Sequence, residues 1–324
     1  MEDNIKPTKM PPFVISGKTL FESSVPENPM LWGHFLPKIG IALLVGSSDC
    51  GKSSLTRQLI DAIVFDEPEF LGLDLDLTYN RAIYVSSEDT DEDIKRIMKR
   101  EHISGRSSDP YEEISFIFET EKIDEKLEAV LQVKPVDIVI MDSLNDFIRG
   151  DANVSYNVRL FLEKIRGLAM KHKCLFVLIH HFRKSAPETN SQKNDILGSQ
   201  SFEAKARAVI SLENDASNPS GKLLKIIKGN YVSEEFKRKI LKISPNNNFI
   251  FKSIGESLVD KNATRISSRK LDDKMRGAIE MFSGQGYSSR EIEAKLKSMG
   301  HVISKSTISE FLKNRDGTVQ CPES

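Results

Sequence analysis

The sequence is short of cysteine, of net charge and of long apolar runs. Three cysteines occur in 324 residues: Cys50, Cys174 and Cys321. Their number is odd and their spacing is not that of a metal site, which argues against a disulfide framework and a zinc module. No apolar stretch approaches the roughly 18–20 residues that span a bilayer. The N-terminus, MEDNIKPTKMPP, lacks the apolar core of a signal peptide. A cytoplasmic protein without membrane association is therefore expected by default. Lys and Arg number 46 against 47 Asp and Glu, so the whole-chain charge points to neither an acidic nor a basic partner. The length suits one large core with a smaller domain beside it.

What is present is concentrated in one stretch. Gly46-Ser47-Ser48-Asp49-Cys50-Gly51-Lys52-Ser53 fits G-x-x-x-x-G-K-[ST] at every fixed position, with Ser54 next on the helix. The apolar run Ile41–Val45 precedes it and a helical pattern, Leu55 through Val64, follows. Such a loop aims successive backbone N–H groups at phosphate oxygens, and the helix N-terminus adds its positive dipole end. Lys52 then reaches the β- and γ-phosphates and the Ser53 hydroxyl ligates Mg²⁺. A plain Gly/Ser turn is the alternative, and the order strand, loop, Lys-Ser, helix speaks against it. Cys50 in this loop suits a reducing compartment.

From 41 to about 182, strand-like and helix-like segments alternate. Strands are expected at Ile41–Val45, Ala82–Ser86, Ile114–Phe118, Asp137–Met141 and Leu175–Ile179, with helices at about 52–65, 91–102, 122–133 and 154–172. This alternation predicts an α/β fold with a mostly parallel sheet covered by helices on both faces. Ala208–Leu212, Leu223–Ile227, Phe236–Ile243 and Phe249–Phe251 read as short strands joined by turns, an antiparallel extension. Residues 1–40 are expected to be a lead-in packed on the core, 41–254 the core, 255–270 a linker and 271–324 a small helical domain.

Three strand ends carry further candidates. Asp142 ends the run Val136–Met141 at the carboxyl edge, where open α/β folds bind ligands, and suits the water shell of Mg²⁺; a turn-forming Asp is the alternative. Glu88, in Ser86-Ser87-Glu88-Asp89-Thr90, is a candidate to activate water, with Asp89 structural or capping the next helix. His180-His181 ends another strand. His181 is a candidate sensor of the γ-phosphate, against a buried histidine satisfied by backbone. Arg207, after Gly198-Ser199, is either an arginine finger acting on a neighbouring subunit or a surface ion pair.

Residues 30–252 resemble the RecA-like P-loop ATPases, specifically the RepA-type hexameric replicative helicases. The likeness lies in Leu31-Trp32-Gly33 with Leu36-Pro37-Lys38, the phosphate loop, Ser87-Glu88-Asp89, Ile140-Met141-Asp142-Ser143, His180-His181 with Lys184, and Gly198-Ser199 leading to Ala206-Arg207-Ala208. The resemblance implies a ring, most simply a hexamer, that binds ATP and Mg²⁺ between subunits. Glu88 is then the catalytic carboxylate, Asp142 the Mg²⁺ aspartate, His181 the sensor and Arg207 the finger, with Lys228 reaching across the interface. Two channel loops map to about 144–154 and 182–199, where Arg149, Arg183, Lys184 and Lys193 would meet single-stranded DNA phosphates. Neither loop is strongly basic, and only Phe147 and Phe182 offer stacking rings, a departure from a good single-strand binder.

Residues 261–316 hold about twelve Lys/Arg against seven Asp/Glu, an excess hidden in the neutral total. Three helices are expected there: Asp272–Phe282, Ser288–Met299 and Ser304–Asn314. The last two look like a helix-turn-helix, with Lys305, Ser306 and Thr307 near DNA; a protein-contact module is the alternative. Two functions follow from the chain: a DNA-dependent ATPase of the hexameric helicase type, or an ATP-dependent DNA-binding regulator that unwinds nothing. A phosphate-loop kinase is disfavoured, because no Arg-rich lid is evident.

Overall fold

Apolar runs become parallel strands here because both their faces are covered. Nine strands form one sheet: β1 (Gly40–Gly46), β2 (Ala82–Ser86), β3 (Ile114–Ile117), β4 (Ile138–Asp142), β5 (Leu175–His181), β6 (Ala208–Asn214), β7 (Lys222–Gly229), β8 (Lys239–Pro245) and β9 (Phe251–Leu258). Their order is β9-β8-β7-β6-β1-β5-β4-β2-β3. From β6 to β3 neighbours pair in parallel, while β6–β7 and β7–β8 are antiparallel. Every residue of β1, β2 and β4 is buried, as expected for strands sandwiched between layers.

The structure, a computed structural model, describes residues 14–24, 29–102, 105–148, 155–181, 205–230, 232–258, 273–298, 303 and 305–316. The candidates Arg149, Arg183, Lys184 and Lys193 lie outside the described residues. The chain divides into two compact units, Met1–Ser257 and Leu258–Ser324.

In the first unit, helix α1 (Lys52–Val64) covers one face of the sheet. Its Leu55, Leu59, Ile60 and Ile63 join a core with Ala42, Leu44, Leu31, Trp32 and Phe35. Helices α3 (Ile123–Val133) and α4 (Ser155–His172) cover the other face, where Leu127, Leu131, Leu162 and Ile165 meet Ile41, Leu43 and Val45. Alternate residues of β1 thus feed the two layers, following the period of two along a strand. Helix α2 (Asp91–Glu101) follows β2 and is amphipathic, burying Ile94. The result is a RecA-like P-loop core carrying a small helical region.

Several expectations are corrected. The lead-in packs only in part. Leu31, Trp32, Phe35 and Leu36 are buried, and Trp32 Nε1 donates to Phe70 O at 2.9 Å. By contrast, residues 14–24 are exposed throughout, with Phe21 at 91%. The expected linker begins late, because β9 runs on to Leu258 and only its Phe251 is buried. The expected strand Phe236–Ile243 starts as a helical turn, Glu234–Lys237, capped by Ser233. Among the described residues no helix is long and apolar enough to cross a membrane.

The second unit holds α5 (Asp273–Gly284), α6 (Ser289–Ser298) and α7 (Lys305–Asp316). Ile279, Phe282, Ile292, Leu296 and Ile308 form its own core. Ser288 starts α6, its N–H and hydroxyl both donating to Glu291 Oε2 at 2.8 and 2.7 Å. That is half of a capping box.

Candidate nucleotide site

The loop from Gly46 to Gly51 joins β1 to α1 and is built on close approaches. A Cβ at Gly46 would lie 2.4 Å from Leu212 O and 2.7 Å from Cys50 Sγ. Gly51 has φ +98, and a Cβ there would meet the Phe251 ring at 2.9 Å. Phe251 is fixed in turn by Gln58, whose Oε1 accepts from its N–H at 2.8 Å while Nε2 donates to Phe249 O at 2.9 Å. The last strand therefore latches onto the phosphate-loop helix. Asp49 takes φ +61, which Asp tolerates better than most residues. Among the described residues, no protein acceptor takes the N–H of Ser48, Asp49 or Gly51. Ser47 and Cys50 complete the loop, and Ser53 and Ser54 open the helix.

Lys52 is buried, and its ammonium turns back over the loop. It donates to Ser47 O at 2.7 Å and Gly46 O at 3.2 Å, and lies 3.3 Å from His181 Nδ1. An ammonium has only donors, so Nδ1 accepts from it. Burial first, then the Lys52 charge, lower the His181 pKa below its ordinary 6.5, which keeps the imidazole neutral and able to accept. Cys50 is buried too, and burial pushes its thiol up despite the nearby Lys52.

Asp142 ends β4 opposite Ser86 of β2. Its carboxylate is buried and its Oδ2 accepts from Tyr84 Oη at 2.6 Å. Ser87 bridges the two strand ends. Its hydroxyl donates to Asp146 Oδ2 at 2.6 Å and accepts from Ser143 N at 2.9 Å, while its N–H donates to Asp142 O at 2.8 Å. Glu88 is exposed beyond this bridge and close enough to His181 to act on its proton affinity. Asp89 does not cap α2. Thr90 does, in a reciprocal capping box with Asp93, and Asp89 instead sits 3.8 Å from Arg57 Nη1. The phosphate loop, Asp142, Glu88 and His181 thus converge at the carboxyl edge of the sheet. His180 is buried in the core beside them.

Arg207 and Lys228 are at the other end. Arg207 N donates to Ile41 O at 2.8 Å, beside the start of β1. Five residues at about 3.3 Å each separate that point from Gly46. Lys228 pairs in register with Val209, and its ammonium donates to Ala206 O at 3.0 Å. The two basic residues share an edge that the chain's own Lys52 does not reach. In the tail, Lys305 is exposed at the start of α7, with Thr307 half-buried two residues on and Ser306 between them in the chain.

Four residues of the site carry no motif signal. Tyr84 and Phe251 sit in apolar strand patterns and read as core. Arg57 reads as one charge on an amphipathic helix but is only 8% exposed. Asp146 is one acidic residue in a loop, legible only once Ser87 and Ser143 are brought to it.

The residues fit a magnesium-bound nucleotide. Unclaimed loop N–H groups and a lysine suit phosphate oxygens, and the Ser53 hydroxyl with the Asp142 carboxylate supplies hard oxygen donors. Mg²⁺ uses one or two such ligands together with phosphates and waters. The described residues contain no group of three or more His, Cys, Asp or Glu that could hold a metal ion.

Residues 6–187, more than half of the chain, match the family model of the AAA domain. No curated protein matches the chain. The matched span contains Lys52, Glu88, Asp142 and His181 and stops before Arg207, Lys228 and the tail. Members of such a family use a nucleotide, usually with Mg²⁺. The chain therefore belongs to the AAA domain family and is a P-loop ATPase.

Proposed function

We propose that this chain is a DNA-dependent ATPase of the hexameric helicase type, whose site is completed by a second copy. The observation that carries the reading is the separation of the basic residues. Lys52 stands at one edge of the sheet, and Arg207 with Lys228 at the other. A phosphoryl-transfer site that uses all three draws them from two chains set head to tail, and repetition of that contact closes a ring. Lys52 and the loop amides hold the phosphates, and Ser53 and Asp142 hold Mg²⁺, which neutralises charge on the phosphates. Glu88 orients and deprotonates water. His181, already touching Lys52, registers the γ-phosphate. Arg207 of the next copy neutralises charge in the transition state, a contribution worth about 10³–10⁵ in rate where such fingers operate.

The tail supports DNA as the partner. It has its own core, and Lys305, Ser306 and Thr307 open its last helix in the place where a recognition helix meets the major groove. Single copies would bind weakly, and a ring would multiply the effect.

The test is subunit mixing. Lys52→Ala and Arg207→Ala proteins should each lack turnover, and a mixture should regain it where an intact loop faces an intact edge. Single-stranded DNA should stimulate the wild type, which should displace an annealed oligonucleotide. If the mixture stays inactive while both variants assemble, catalysis across copies is wrong. Preference for a particular duplex without displacement would favour the regulator, the reading that the weakly basic channel loops support.

A further inference from the structure

We propose that Tyr84 is a positioning residue for magnesium, holding the Asp142 carboxylate through Oδ2 so that Oδ1 faces the cation. The inference rests on the reading of the site as a magnesium–nucleotide site and deepens it.

The geometry comes from register. Tyr84 and Ser86 lie on one face of β2, since side chains two apart share a face. Ser86 is opposite Asp142, and Tyr84 is opposite Ile140. The phenol therefore spans two residues along the strand to reach Asp142, where it donates at 2.6 Å. It is fully buried, and the Phe116 ring lies 6.0 Å from its own. A buried tyrosine hydroxyl must find some acceptor, and a backbone carbonyl is the usual one. Here it is given to the carboxylate that ends β4. Among the described residues this is the one hydrogen bond that the Asp142 carboxylate accepts. With Oδ2 engaged, Oδ1 is the oxygen left for the water shell of Mg²⁺. Groups that orient a metal ligand in this way typically matter about 10–100-fold in metal affinity.

The experiment is a Mg²⁺ titration of fluorescent-ATP binding to the full-length protein. It compares wild type, Tyr84→Phe, Asp142→Asn and the double variant. Tyr84→Phe should raise the Mg²⁺ midpoint about tenfold, leave binding without Mg²⁺ unchanged, and leave kcat at saturating Mg²⁺ near wild type. In the Asp142→Asn background it should add nothing. An unchanged midpoint in folded Tyr84→Phe overturns the proposal, as do equal losses with and without Mg²⁺ or additive effects in the double variant. A wild type whose nucleotide binding ignores Mg²⁺ overturns the site reading itself, a result distinct from an unshifted variant.

Discussion

Asp61 lies in the last turn of α1, beside Glu101 of α2, and burial followed by the Glu101 charge raises its pKa from 3.8 to about 7, against the opposing charges of Arg57 and Arg106. Glu101 is itself buried and raised for the same leading reason, and Tyr111 faces the same spot. The sign follows from linkage. A carboxylate raised in the folded state holds its proton there at pH values where the unfolded chain has lost it. Folding is thus most favoured near and below pH 4, and stability falls as the pH rises from about 4 to about 7. Between pH 5 and pH 8 the loss is on the order of 2–3 kcal/mol at about 1.4 kcal/mol per pH unit. For a unit of this size that is about 5–10 °C in Tm. Asp61→Asn removes the titration and keeps the shape. Its Tm advantage over wild type should widen by that amount between pH 5 and pH 8, read by circular dichroism without nucleotide. A difference that stays constant over that range, or a wild type that gains on the variant as pH rises, refutes the reasoning.

Asp137 accepts the backbone N–H groups of Thr78, Tyr79 and Asn80 at 2.8, 2.9 and 2.7 Å. Asp137→Ala should cost about 2–4 kcal/mol by leaving these donors unmade, read as a lower urea midpoint, and an unchanged midpoint would refute it. Cys174 is buried and its thiol is pushed up to about 12, chiefly by that burial. Mass spectrometry should find it unmodified by iodoacetamide at pH 8 in folded protein and modified in urea; equal labelling in both would contradict its burial. A chain ending at residue 260 should keep ATP turnover and lose duplex affinity, measured by fluorescence anisotropy. Unaltered duplex affinity would remove the tail from the DNA reading.

The sheet was legible because its parallel strands are buried on both faces and read as unbroken apolar runs, as in β1 and β4. The strand ends carrying Asp142, Glu88 and His181 followed from the same runs, because the polar residue is where the apolar stretch stops. β9 was cut short because a ladder holds it at the sheet edge while nearly all its side chains remain exposed. Tyr84 was hidden because a phenol inside a strand looks like core until the register brings Asp142 beside it. Arg57, Asp61 and Glu101 were hidden for a related reason. Charges on amphipathic helices normally mark the solvated face, and here α1 and α2 turn some of theirs toward each other, Asp61 and Arg57 toward Glu101. The exposed lead-in helix, Gly17–Glu22, has the apolar content of a packed segment, and composition alone did not tell whether it packs.

The central claim is that the loop from Gly46 to Ser53 holds a triphosphate. Equilibrium dialysis with labelled ATP and Mg²⁺ measures this directly. Wild type should retain one nucleotide per chain, competed by unlabelled ATP, and Lys52→Ala should retain far less at the same concentration. Wild-type protein that retains none, or a Lys52→Ala variant that binds as tightly, would contradict the account.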